Sequence, residues 1–151
     1  MTRVCLVGSD DVNLRYELVS RETARDALAT YDLAEPYANT VALETISLGS
    51  AVSLLNDLNW YLVRFADAAL VLEPSVSDEE WLSRELAAAV RDDEVSAEAS
   101  ARYLKVYGVT AENELVEPMF VTRTGHELPD YDLREVEDTL RVRVTESEFG
   151  A

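Results

Sequence analysis

The sequence predicts an α+β protein, a single mixed sheet with helices packed on it, from three observations. First, short β-branched or strictly alternating runs stand at Arg3 to Val7, Thr40 to Leu48, Tyr103 to Val109, Leu115 to Thr122 and Leu140 to Val144. Second, apolar residues recur at helical spacing between those runs, above all from Ala51 through Leu55, Leu58, Leu62, Phe65 and Ala69 to Leu72. Third, the four prolines and five glycines are scattered, with no repeat and no linker, so the 151 residues (1-151) read as a single domain.

Taken in order, Arg3 to Val7 is a buried strand that ends at Gly8 and turns through Ser9, Asp10 and Asp11. Leu14, Tyr16 and Leu18 alternate like a strand, and a helix follows from about Arg21 to Tyr31 with Ser20 as its cap. A strand over Thr40 to Leu48 closes at Gly49. The phase from Ala51 to Leu72 favours one long helix stopped by Pro74, although Ala68 to Leu72 could equally form a strand. If that strand forms, the alternative fold is α/β with a largely parallel sheet. Ser77 to Glu80 has the form of a capping box and predicts a helix through Val90, with Arg91 near its end. A shorter helix is expected from Ser96 to Arg102.

The last third reads as strands. Thr110 to Asn113 joins two of them as a hairpin, and Pro118, with no amide hydrogen, places its strand at an edge or a bulge. A loop with Gly125, His126 and Pro129 and a helical turn at Leu133 to Glu137 precede the strand that carries Leu140, Val142 and Val144.

Composition bounds the setting. Thirty acidic residues against thirteen basic ones give a net charge of −17, yet 48% of residues are hydrophobic, enough to build a core under the charge. Twelve of the thirteen cations are arginine, and the single lysine is Lys105. That balance fits a cytoplasm at molar salt, where screening shortens the reach of like-charge repulsion. One cysteine, Cys5, excludes an intramolecular disulfide and agrees with a cytoplasmic location; an acidic N-terminal stretch offers no signal peptide or membrane span.

The stretches SLGSAVSLLNDLNWYLVRF, SVSDEEWLSRELA, and LKVYGV followed by ELVEPMFV resemble a small haloarchaeal protein family of unknown function. The resemblance implies a taxonomic setting and brings no activity, cofactor or site with it.

Few residues carry a chemical suggestion. Asp10 and Asp11 follow the first strand, where α/β enzymes place phosphate turns and metal carboxylates, but the turn has neither the lysine of a phosphate loop nor further glycines. Cys5 between Val4 and Leu6 reads as a core residue rather than a nucleophile. His126, the only histidine, excludes a histidine-rich zinc site and stands as a solitary general-base candidate. Arg141 and Arg143 share one strand face, with Arg123 at the end of another strand, and such arginines grip phosphate or carboxylate in a fork. Pairing with Glu117, Glu135 or Glu137 is the plainer expectation for them.

Tyr103, Lys105 and Tyr107 alternate on one face, as in sheets that stack RNA bases or in ordinary cross-strand packing. Trp60 and Tyr61 read as packing on the long helix, with an exposed contact patch as the alternative. The sequence therefore predicts an uncharacterised, halophilic, cytoplasmic protein that acts as a non-catalytic binding or regulatory module. It predicts no catalytic residues, no metal and no cofactor. Asp10, Asp11, Arg141 and Arg143 are its ligand-binding candidates, and a homodimer or another protein is its expected partner. A membrane is not expected, and nucleic acid stays open at low weight, because acidity that adapts a protein to salt argues only weakly against it. An enzyme on a phosphorylated or carboxylated small molecule is the first alternative, and an RNA-binding protein the second.

Overall fold

The computed structural model describes residues 1–124 and 138–149. Its first half alternates strands and helices: β1 (Thr2–Gly8), α1 (Leu14–Val19), α2 (Glu22–Leu28), β2 (Thr40–Thr45), α3 (Leu48–Asp57), α4 (Asn59–Phe65) and β3 (Ala66–Leu72). There follow β4 (Trp81–Ser83), α5 (Arg84–Arg91), β5 (Tyr103–Val109), β6 (Leu115–Thr122) and β7 (Asp138–Val144), with short 3-10 turns at Ala99–Ala101 and Glu146–Glu148. All seven strands join one curled sheet in the order β2-β1-β3-β4-β7-β5-β6. Only the β4–β7 pair is parallel. The fold is α+β, as the sequence predicts.

The curl gives the sheet an outer face under the helices and an inner face closed on itself. Outward, Val4, Leu6, Val41, Val71 and Leu82 meet Leu14, Leu18, Leu55, Leu58 and Leu86 of the helices. Inward, Cys5 and Leu70 pack against Leu140, Val142 and Val144. Residues opposite one another across a ladder share a face, so the pairs Lys105↔Val142 and Leu104↔Arg143 sort β5 and β7 without ambiguity.

Four sequence expectations are corrected, each by tertiary context. The long helix stops: α3 ends at Asp57, Leu58 takes φ −90 and ψ 2, α4 ends at Phe65, and Ala66 is already extended at φ −119 and ψ 140. Ala68 to Leu72 is therefore strand, apolar on both faces because Ala69 and Val71 enter the helix-covered core while Ala68, Leu70 and Leu72 enter the inner one. Six of the seven in-phase positions, Ala69 of the strand among them, face the helix-covered core, and the seventh, Leu72, faces the inner one. The strand does not make the sheet parallel, since β3 runs antiparallel to both neighbours.

The second correction concerns Ser77. Its hydroxyl accepts from the Glu79 and Glu80 amides, at 3.2 and 3.0 Å, as a capping residue should. No helix begins there; the chain extends into β4, and the cap of α5 is Ser83, whose Oγ accepts from the Leu86 amide at 3.1 Å. The third concerns Leu14 to Leu18, which is helical: Leu14 and Leu18 are buried one turn apart while Tyr16 is exposed. Asn13 caps α1, and Ser20 closes α1 instead of opening α2. The expected helix from Ser96 to Arg102 is reduced to the 3-10 turn.

Other expectations hold. The β5–β6 hairpin forms over its predicted residues, β6 is an edge strand, and its register slips between Val106 and Gly108, opposite Pro118. Gly8 is required by a close approach: a Cβ there would lie 2.5 Å from Asn39 Nδ2 and 2.9 Å from the Asn39 carbonyl. Asn39, at φ 54, also accepts from the Leu14 amide and donates to the Ser9 carbonyl, so it fastens the turn after β1. Gly8→Ala is expected to cost about 1–3 kcal/mol through this clash, read as a lowered denaturant midpoint at unchanged slope.

Candidate functional site

The last strands bring three guanidinium groups onto one carboxylate. Trp81 faces inward, so Glu80 just before it faces outward, level with Arg141, while Leu82 lies opposite Arg143. Arg123, one residue beyond β6, is held there by its amide, which donates to the Arg102 carbonyl at 2.8 Å.

Glu80 is the hub. Arg123 donates to it as a fork, Nη1 to Oε1 at 3.0 Å and Nη2 to Oε2 at 2.6 Å. Arg143 Nε donates to Oε1 at 2.8 Å, and Arg141 Nη1 lies 3.2 Å from Oε2. Arg143 also donates to Ser100 Oγ at 3.0 Å, and Arg123 to the Ala101 carbonyl at 3.1 Å, which ties the 3-10 turn to the sheet. Arg141 reaches out to Glu79, whose side chain is 79% exposed against 6% for Glu80.

Burial pushes the Glu80 carboxyl up. Hydrogen bonds from Arg123 and Arg143, and then their charges, outweigh it and hold the group below its ordinary value of 4.5. With three cations against Glu80 and the exposed Glu79, these five groups carry a surplus of positive charge in a chain of net −17. A depression of about 390 Å³ opens beside Arg123 and Arg143, lined also by Ser77, Glu80 and Glu98 but not by Arg141, so that two arginines face two carboxylates in its lining. Guanidinium groups favour carboxylate and phosphate in a fork, and here the fork of Arg123 is taken by Glu80 itself.

The sequence-predicted residues are distributed as follows. Arg141 and Arg143 stand together in this cluster, paired with Glu79 and Glu80; Glu135, Glu137 and the side chain of Glu117 lie outside the described residues. Asp10 and Asp11 are exposed in the turn past Gly8, Asp11 with φ 65. The registers put Arg141 level with the Thr2 end of β1, which separates it from that turn by on the order of 20 Å along the strands. The two pairs are not one site.

Tyr103, Lys105 and Tyr107 share the inner face with Val144, Val142 and Leu140, opposite to Arg141 and Arg143. Tyr103 and Tyr107 pack on the inner apolar cluster, so the five residues do not form one exposed surface. Trp60 is 48% exposed on α4, with the Arg64 guanidinium 3.8 Å over its ring. His126 lies outside the described residues.

Cys5 is 1% exposed, and burial pushes its thiol up to about 11 against the weaker pull of Arg3 and a hydrogen bond with Thr40. It is expected to resist a thiol-exchange reagent in the native protein and to react fully once unfolded. Rapid native labelling would show the strand opening.

Glu80 was hidden from sequence reasoning. Its local pattern, serine followed three residues later by glutamate, is the capping signature, and nothing local reveals that the carboxylate turns to arginines 43 and 63 positions away. Three arginines at strand ends or alternating on one face were the available signal.

The fold and site define a helix-covered, curled-sheet protein with a buried-carboxylate arginine cluster. The chain belongs to DUF5804, a family of unknown function, whose family model matches residues 2–109. The match spans the stretches from Ser47 to Val109 that carry the resemblance and ends before ELVEPMFV, β7 and all three arginines. No curated protein and no solved structure matches. No helix among the described residues is long and apolar enough to cross a membrane.

Proposed function

We propose that this protein is a non-catalytic binding module whose recognition site is the arginine cluster around Glu80 and whose ligand is a small molecule bearing a phosphate or carboxylate. The observation that carries this reading is the gathering of guanidinium groups: Arg123 and Arg143 line an open depression and Arg141 joins them on Glu80, in a strongly acidic chain. Electrostatic attraction alone would be a poor recognition device at molar salt, but forked hydrogen bonds survive screening because they act at contact distance. The arginine-for-lysine balance and the acidic surface support a haloarchaeal, cytoplasmic setting for that function.

The test is calorimetric titration in molar KCl with inorganic phosphate, a sugar phosphate and citrate. Binding by at least one of them is expected, weakened about tenfold in Arg141→Met, which removes the most exposed of the three arginines. Equal affinity in wild type and variant, or no binding by any probe, would overturn the reading.

A further inference from the structure

We propose that a second site, in the gap beside β3, binds small zwitterions with an apolar side chain, of the class of apolar α-amino acids. The gap follows from topology. β4 is three residues long and pairs with β3 only at Leu70 and Val71, after which the chain leaves the sheet as α5. Among the described residues, β3 therefore has no strand partner on that side from Ala66 to Ala69. Two adjoining cavities of about 400 and 550 Å³ lie there, sharing Glu85, Lys105 and Glu148 in their linings. Openings at the ends of curled sheets are common places for small ligands, since the apolar interior gives a floor and the strand ends give polar groups.

The lining fixes the ligand class. Ala68 and Leu70 supply apolar wall to one cavity, Phe120 and Val144 to the other. Lys105, the only lysine beside twelve arginines, provides a compact positive charge and lies 5.2 Å from the Tyr107 ring centroid. Glu148 is held in place, because its Oε1 accepts from Ser83 Oγ at 2.7 Å and from the Thr145 amide at 2.9 Å. Of the other charged groups, Arg84 is turned away to the Leu55 carbonyl at 3.1 Å, and Asp67 adds a further carboxylate at the rim. A simple anion would gain Lys105 but meet Asp67, Glu85 and Glu148, and a simple cation would gain those carboxylates but leave Lys105 without an anion. A molecule carrying ammonium and carboxylate together satisfies both.

This site is independent of the Glu80 cluster, so Arg141→Met serves as a control that keeps it. In molar KCl, calorimetry would compare leucine, methionine and phenylalanine with 4-methylpentanoate and isoamylamine, which each keep one charge of leucine. At least one amino acid is expected to bind about tenfold or more tighter than either single-charge analogue, and Lys105→Met to lose that preference. Wild-type protein gives a second readout: after reaction with an N-hydroxysuccinimide ester and peptide mass mapping, acetylation of Lys105 relative to the chain's α-amine should fall when the amino acid is bound, because scavenging of the ester by free amino acid slows both amines alike. Binding by no amino acid, equal binding by the single-charge analogues, or acetylation unaffected by a bound amino acid would each overturn the proposal. Should Lys105→Met fail to fold, the protection experiment decides alone.

Discussion

Glu80→Gln is expected to lower the stability of the fold by about 3–5 kcal/mol, the range found when one partner of a buried charge cluster is removed. The substitution keeps the volume and removes the one negative charge that Arg123, Arg141 and Arg143 share. Arg123 and Arg143 have little exposed surface, at 12% and 10% of their side chains, so water cannot easily replace the lost carboxylate. Denaturant unfolding in molar KCl measures the loss, and a change below about 1 kcal/mol would mean that the cluster is effectively solvated. The pH profile follows from the same carboxyl. Its folded value is depressed, so its contribution is complete above the ordinary value of 4.5 and disappears as pH falls below that through the folded value. Wild type should therefore lose stability in acid more steeply than Glu80→Gln. If the cluster is also the ligand site, added phosphate should recover part of the loss in the variant, because the anion would replace the missing charge.

How much of this was legible in the sequence depends on the range of the deciding interaction. The strands β5, β6 and β7 were readable because an alternating or β-branched run states its own conformation, and Pro118 named its edge position by lacking a donor. Cys5 was readable as core from its two neighbours. In contrast, β3 looks like a continuation of α4 because Ala69 and Leu72 keep the helical phase; only the presence of β1 alongside makes extension the better way to bury them. Ser77 to Glu80 satisfies half of a capping box, and the other half is taken by arginines from the far end of the chain. Arg141 and Arg143 were found as a pair, but their partner and the Arg123 contribution depend on a strand register that no local pattern contains. Asp10 and Asp11 show the converse failure: their place after the first strand suggested a shared site that the registers separate.

Lowering KCl from 1 M to 0.1 M is expected to destabilise the protein by roughly 5 kcal/mol, seen as a fall of about 10–20 °C in melting temperature. The estimate treats the folded chain as a sphere of radius about 19 Å and the unfolded chain as one of about 50 Å, each carrying net −17. Screening removes most of the folded state's self-repulsion at 1 M and much less of it at 0.1 M, while the expanded chain changes little. The Glu80 cluster should follow this trend only weakly, since its opposite charges meet at 2.6 to 3.2 Å, no farther than the roughly 3 Å screening length of 1 M salt. Wild type and Glu80→Gln should accordingly show parallel salt dependences, offset by a nearly constant amount. A melting temperature that stays constant across this range would mean that the carboxylates are spaced widely enough not to interact, and the composition would then give no support to a high-salt setting. Convergence of the two curves at high salt would instead show that the cluster behaves as a surface ion pair, and that the large effect expected for Glu80 has another origin.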